Sequence, residues 1–253
     1  MTNNSTTKVI DLNRISGSRL QTEPFRWAAI DRLYSPADSA ALAATFPTDG
    51  YKRVWDHVGE KKHDYLVRAL VRMSANSVSG KSGLSSVWRA LADDFLSDGY
   101  RRAMGELIGV DLSDAELEVN VFDYPPGGLH GAHTDHRDKI VTHVLYFNDS
   151  WNDDDGGCLL ILKSPDMQDV VTHVSPCVGN SAVLVRSDNS WHAVSGVART
   201  CQLSRRSLTA TFYYPGHVDS TVWPTWGQYL HSVVTTRWQR LRGLVVGGNA
   251  GRM

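Results

Sequence analysis

Between residues 116 and 214, short apolar runs alternate with turn clusters. ELEVNVFDY (116–124), KIVTHVLYFN (139–148), GCLLILK (157–163), SAVLVR (181–186) and SLTATFYY (207–214) are rich in β-branched and aromatic residues, the signature of strands. PPGG (125–128), NDDDGG (152–157) and VGN (178–180) separate them. Many short strands so punctuated predict an antiparallel sandwich or jelly roll.

The amino-terminal half has a different texture. EPFRWAAIDRLY (23–34) alternates enough to be a strand. Ser35 and Pro36 then open a helix that runs to Phe46, with Ser as N-cap, Pro in the first turn and Asp38 behind it. A second helical pattern covers 84–108, where Val87, Leu91 and Phe95 recur. Residues 50–83 are polar and carry no clear period. The plan is one domain over 1–253: a loose tail (1–20), a mostly helical support (21–115), a β core (116–215) and a carboxy-terminal segment (216–253). In that last segment QYLHSVVTTRWQRLR (228–242) reads as a closing amphipathic helix. The fold class is mainly β with N-terminal helices.

Composition narrows the function classes. The 253 residues are ample for a hydrophobic core. A net charge of −1 gives no general pull toward nucleic acid or an anionic membrane. Cys158, Cys177 and Cys201 form no CxxC pair, which argues against a disulfide framework and a structural zinc site. The start, MTNNSTTKVIDLN, lacks the apolar core of a signal peptide. No run of about 18 apolar residues offers a transmembrane helix. A cytoplasmic location is the expectation.

Residues 130–136, HGAHTDH, hold three histidines and an aspartate. In extended chain, i and i+2 share a face, so His133 and Asp135 project together. An imidazole and a carboxylate on one face are two-thirds of the facial triad that binds Fe(II) with open positions. The third ligand should be a distant histidine. His192, in SDNSWHAV (187–194) after the SAVLVR run, is the best candidate. His173 is a rival in a more ordinary strand-like stretch, and His143 within its strand reads as a packed residue.

An Fe(II) oxygenase needs an electron source for dioxygen, commonly an α-keto acid whose distal carboxylate favours an arginine fork. Period two places Arg205, Ser207, Thr209 and Thr211 on one polar face, and Leu208, Ala210 and Phe212 on the other with Arg206. That parity selects Arg205 as the keto-acid ligand, with Thr209 beside it. Arg206 reads as a solvated surface charge.

HxD alone is a weak signal; the order of its surroundings strengthens it. Tyr124 before PPGG, then His133-Thr134-Asp135, then Tyr146-Phe147-Asn148, then Asp155-Gly156-Gly157, then Ser190-Trp191-His192, then Arg205-Arg206-Ser207-Leu208-Thr209 resembles the Fe(II)/2-oxoglutarate-dependent dioxygenases. The prolyl-4-hydroxylase-like branch is the nearest pattern. The resemblance implies a double-stranded β-helix core (jelly-roll, cupin-like). It implies iron on His133, Asp135 and His192, 2-oxoglutarate on Arg205, and Tyr146 and Tyr124 flanking the keto acid. It implies O2 as a further cosubstrate and a hydroxylated product. A related group with Gly or Ala at the carboxylate position halogenates; Asp135 therefore points to hydroxylation.

For the substrate, Glu118 and Asn120 share a face of the strand before the triad, and Thr211 continues the inward face of the last strand. His130 and His136 flank the metal motif. Arg72 and Arg68, in DYLVRALVRM (64–73), offer a carboxylate clamp. Such groups suit a small zwitterion, because burying them without a matching ligand is costly. A fainter resemblance links the chain to compact bacterial hydroxylases and halogenases of free amino acids, through His130 and the Thr209/Thr211 pair. The departure is His136, where that group can carry an acid. A free amino acid or close derivative is the expected substrate. The alternatives are a hydroxylase of a peptidyl residue such as proline, a non-catalytic metal-binding jelly-roll module, and a zinc hydrolase, which lacks a nearby general-base Glu. Trp223, Trp226 and Trp238 belong to a segment that either closes over the pocket, forms a homodimer interface or simply packs.

Overall fold

A computed structural model describes residues 8–56, 63–73, 77–80 and 83–217. In chain order its elements are α1 (Leu12–Ser16), β1 (Trp27–Ile30), α2 (Pro36–Ala44), β2 (Lys52–Asp56), β3 (His63–Arg72) and β4 (Ser77–Val78). They continue with α3 (Ser86–Phe95), α4 (Asp98–Ile108), β5 (Glu116–Tyr124), β6 (Leu129–His133) and β7 (Lys139–Tyr146). After a 3-10 turn (Asp153–Asp155) come β8 (Leu159–Leu162), β9 (Val170–Val174), β10 (Ser181–Val185), β11 (His192–Val194) and β12 (Arg205–Tyr213).

Every pairing between these strands is antiparallel, and the path runs β1-β10-β7-β12-β5-β3-β6-β11-β8-β9. The chain turns from one wall to the other at β3, whose start pairs β6 through His63–His130 and Asp64–Leu129. Side chains from both walls then meet: Val144, Tyr146, Ala182 and Leu184 pack with Leu159, Ile161 and Val174. The result is a double-stranded β-helix.

Alternation along β12 explains how the outer layer attaches. Leu208, Ala210 and Phe212 are fully buried in the larger core, with Phe95, Tyr100 and Met104 of α3 and α4. The opposite face carries Arg205, Ser207, Thr209 and Thr211; in register Ser207 pairs Tyr146 and Thr209 pairs Val144, which places this face between the walls. The helices begin where short polar caps satisfy free N–H groups: Ser35, Ser85 and Ser97 each accept from a main-chain N–H of the first turn. Left-handed Gly109 (φ 67°) ends α4.

Several expectations need correction. Residues 8–20 are no tail: Val9 and Ile10 are buried, and both main-chain N–H groups donate to the Asp94 carboxylate at 2.7 and 2.9 Å. The support over 21–115 is not mostly helical, since β1 to β4 interleave with α2 to α4. The predicted strand 23–34 contracts to β1, and the 84–108 pattern divides into α3 and α4. Arg206 is half-buried, its guanidinium 5.2 Å above the Phe46 ring, instead of a free surface charge. The described residues fall within one compact unit ending at His217. The predicted helix 228–242 and the three tryptophans lie outside the described residues.

Candidate metal centre

β6 ends on His133 and β11 begins on His192, and the two are direct cross-strand partners. Their ring centroids are 4.3 Å apart. Asp135 follows His133 at the two-residue period, and donor atoms of all three residues lie within 4.8 Å of one another.

Local hydrogen bonds set the donor atoms. His133 Nδ1 lies 2.9 Å from Gly131 O, and His192 Nδ1 lies 2.9 Å from Ser190 O. A carbonyl only accepts, so each Nδ1 carries the proton and each Nε2 presents its lone pair. Asp135 is 8% exposed and accepts from Lys139 Nζ at 2.6 Å and Thr142 Oγ1 at 2.8 Å. Burial alone would raise its carboxyl, but the Lys139 charge beside it holds it well below the usual carboxylate range. Burial, with His130 and His192 beside it, pushes His133 well down; burial also lowers His192 against the opposing pull of Asp135. Neutral imidazoles and an ionised carboxylate are the forms that bind a metal. This donor set suits an octahedral Fe(II) with open positions.

On the inward face of β12, which belongs to the other wall, stands Arg205, 1% exposed. Its Nε donates to Gly157 O at 2.6 Å and its Nη1 to Ser207 Oγ at 2.7 Å. The guanidinium carbon lies 4.8 Å from the Tyr124 ring centroid and 5.2 Å from that of Tyr146. No carboxylate among the described residues forms an ion pair with it. A buried cation without a counter-ion is costly, so this position suits an anionic ligand. The buried Tyr146 hydroxyl lies close to the Arg205 guanidinium but makes no well-formed hydrogen bond, which leaves it capacity for a ligand. Both observations fit the distal carboxylate of 2-oxoglutarate.

The turn that brings Gly157 O to Arg205 needs its glycines. Gly156 (φ 70°) and Gly157 (φ 68°) are left-handed, and a Cβ would come to 2.1 Å from Gly196 O at the first and 2.9 Å from the Trp151 ring at the second. Thr209 shares the inward face but stands two positions beyond Ser207, and it is Ser207 that holds the guanidinium.

The predicted substrate residues separate into two sets. His130 stacks on His133 with centroids 4.0 Å apart, and burial, aided by His192 and His63, lowers its imidazole to about 3. Glu118 and Asn120 are buried at 2% each and pair in register with Thr211 and Thr209. Tyr213 Oη donates to Glu118 at 3.2 Å. Arg72 is exposed at the end of β3, on the inward parity because the ladder bulges between Ala69 and Val71. His136 is a correction: it is exposed and pairs with Asp138 at 3.0 Å, because the chain has left β6 and turned outward. Arg68 is another, for its register partner Val121 belongs to the helix-side core and its Nη1 lies 3.3 Å from Asp49.

The rival histidines go elsewhere. His143 is buried toward the helices, with Nδ1 2.9 Å from Tyr100 Oη. His173 Nε2 lies 3.0 Å from Asp153. Sequence reasoning missed Lys139, Thr142 and Ser207 as partners of the functional groups, although Thr142 lies at the same period as Tyr146. It also missed Tyr65, whose ring lies 5.3 Å from Tyr124 and 5.8 Å from His130.

Residues 119–213, which contain the triad and Arg205, match the family model of the 2OG-Fe(II) oxygenase superfamily. No curated protein matches the sequence. Among solved structures, a Pseudomonas putida prolyl-4-hydroxylase is 23% identical with a TM-score of 0.52, the alignment covering 74% of this chain and 91% of that one. A Trichoplax adhaerens prolyl hydroxylase, solved with a hypoxia inducible factor peptide fragment, is 15% identical with a TM-score of 0.55, covering 80% and 88%. A prolyl 4-hydroxylase from Phytophthora capsici is 15% identical with a TM-score of 0.53, covering 82% and 66%. At these identities the likeness establishes the fold. Among the described residues no helix is long and apolar enough to cross a membrane.

Proposed function

We propose that this chain, a 2-oxoglutarate-dependent dioxygenase whose residues 119–213 form a 2OG-Fe(II) oxygenase domain, hydroxylates a small polar substrate, a free amino acid or close derivative. Fe(II) is assigned to His133, Asp135 and His192, and the distal carboxylate of 2-oxoglutarate to Arg205, with Tyr124 and Tyr146 against it. The enzyme uses Fe(II), 2-oxoglutarate and O2. When bound, these supply oxidative decarboxylation to succinate and carbon dioxide, coupled to insertion of one oxygen atom into a C–H bond.

The chain's own part is orientation and exclusion of water. The Gly131 and Ser190 carbonyls fix both imidazole tautomers, while Lys139 and Thr142 hold Asp135 ionised in one rotamer. Arg205 is held on two sides by Gly157 and Ser207, so its fork is in place before a carboxylate arrives.

The observation that carries the substrate class is the polarity of the inward face beyond the triad. Glu118, Asn120, Thr142 and Thr211 are all buried there, with Arg72 at the rim. A carboxylate, an amide, hydroxyls and a guanidinium match the ammonium and carboxylate of a zwitterion and reject an apolar ligand. Thr209, between Asn120 and Val144 in register, is assigned to the wall shared by keto acid and substrate, and His130 to the surface beside the triad.

The test is succinate release from Fe(II), 2-oxoglutarate and O2 across a panel of free amino acids and short prolyl peptides. Stimulation by a free amino acid, with KM raised roughly 30-fold or more in Glu118→Gln, supports the proposal. Stimulation by prolyl peptides alone replaces it with peptidyl hydroxylation.

A further inference from the structure

A second group of side chains of metal-ligating type adjoins the Arg205 pocket on its outer side, Cys158 following the Gly157 whose carbonyl holds Arg205. Asp153, in the 3-10 turn, Cys158, just before β8, and His173, on β9, place one donor atom each within 4.8 Å of one another. Asp153 Oδ1 lies 3.5 Å from Cys158 Sγ, and its Oδ2 lies 3.0 Å from His173 Nε2. Zinc bonds of about 2.0–2.3 Å in a tetrahedron put neighbouring donors roughly 3.3–3.8 Å apart. The Asp153 carboxylate is therefore already near that spacing from both partners, and the Cys158 and His173 donors lie within 4.8 Å of each other.

The hairpin β8–β9 explains the convergence. Leu159, Ile161 and Val174 point into the space between the walls, whereas His173 pairs in register with Leu160 on the outer surface. Cys158 shares that outward parity, and the Asp153–Asp155 turn folds over it, so the thiol is 4% exposed while the side chains of Asp153 and His173 remain 46% and 51% exposed. The arrangement has a soft donor at the bottom and two harder donors at the exposed rim.

We propose that Asp153, Cys158 and His173 form a second, non-catalytic divalent-metal site of zinc type, with one thiolate, one imidazole, one carboxylate and a water. The missing CxxC pair excludes only sites with several thiolates, and this one uses a single sulfur. On binding, the Cys158 thiol proton passes to solvent and a sulfur–metal bond replaces the S–H bond, with no change in oxidation state. The ion also takes the place of the His173–Asp153 contact. The proposal is independent of the substrate reading, and it gives His173, the failed rival for iron, a partner set of its own.

The experiment is a cobalt(II) titration of the full chain, followed by absorption. The catalytic triad has no sulfur, so a near-ultraviolet thiolate-to-cobalt band reports the second site alone. Wild type is expected to show this band saturating by two equivalents of cobalt in all, one for each site, and Cys158→Ala to lack it. His173→Gln changes an exposed side chain and should fold; it is expected to weaken cobalt binding at this site by more than the roughly 10–100-fold typical of losing an outer contact. No band in saturated wild type, a band that survives Cys158→Ala, or unchanged affinity in His173→Gln would overturn the assignment. The visible absorption of 2-oxoglutarate chelated at catalytic iron is read separately, so failure here leaves the oxygenase account standing.

Discussion

His133 and His192 face each other across the β6–β11 pair, ring centroids 4.3 Å apart, each with Nδ1 tied to a main-chain carbonyl two residues earlier. The strand ladder thus fixes the ring positions and the main chain fixes the tautomers. Asp135 has no such support from its own backbone. Its rotamer depends on Lys139 and Thr142.

Thr142→Val therefore removes an outer contact of Asp135, the proposed ligand, while preserving shape. Fe(II) affinity, measured by anaerobic calorimetry, should fall about 10- to 100-fold, with the fold unchanged. An unaltered affinity would mean that Lys139 alone orients the carboxylate.

Tyr146→Phe should act in opposite directions on two observables. Removing a buried hydroxyl that makes no well-formed hydrogen bond should stabilise the ligand-free protein by up to about 3 kcal/mol. If the hydroxyl bonds the keto acid, 2-oxoglutarate binding should weaken by about 0.5–1.5 kcal/mol. Denaturant unfolding and ligand titration of the same variant read both. Loss of stability without loss of affinity would assign Tyr146 to packing.

Burial pushes the His143 imidazole down to about 3, whereas an unfolded histidine titrates near 6.5. Below about pH 6.5 the unfolded chain takes up a proton that the folded chain refuses, so this contribution to stability is complete above that pH and drains away toward pH 3. The slope is about 1.4 kcal/mol per pH unit. His143→Gln keeps a partner for Tyr100 and removes the titration. Between pH 6.5 and 5 the variant should lose about 2 kcal/mol less than wild type in urea unfolding. Parallel losses would show that the imidazole is accessible to protons in the folded state.

Legibility in the sequence followed locality. β5, β7, β8, β10 and β12 were readable because their apolar residues alternate or run together, and the same period placed Arg205 and Glu118 on the inward face. β3 escaped because Asp64, Arg68 and Arg72 interrupt it, Arg68 being buried against the helix side. β6, LHGAH, has the composition of a loop, and β11 is only three residues long. The Val9 and Ile10 contacts with Asp94 span 85 and 84 positions, which no local pattern reveals. At the candidate site, period and order singled out His133, Asp135 and His192, which the fold brings together, and Arg205 on the inward face of β12. Ser207, Lys139 and Thr142 were not, since their roles depend on which side chains the register brings together.

The central claim is that one pocket holds a metal on His133, Asp135 and His192 and a keto acid on Arg205. Its most direct test is anaerobic addition of Fe(II) and then 2-oxoglutarate to the metal-free protein, watching for the weak visible charge-transfer band of a chelated keto acid. The account predicts the band in wild type. In Arg205→Ala it predicts 2-oxoglutarate affinity lower by about 2–5 kcal/mol, roughly 30- to 4,000-fold, with iron binding retained. Iron binding without the band, or a band indifferent to Arg205, would contradict it.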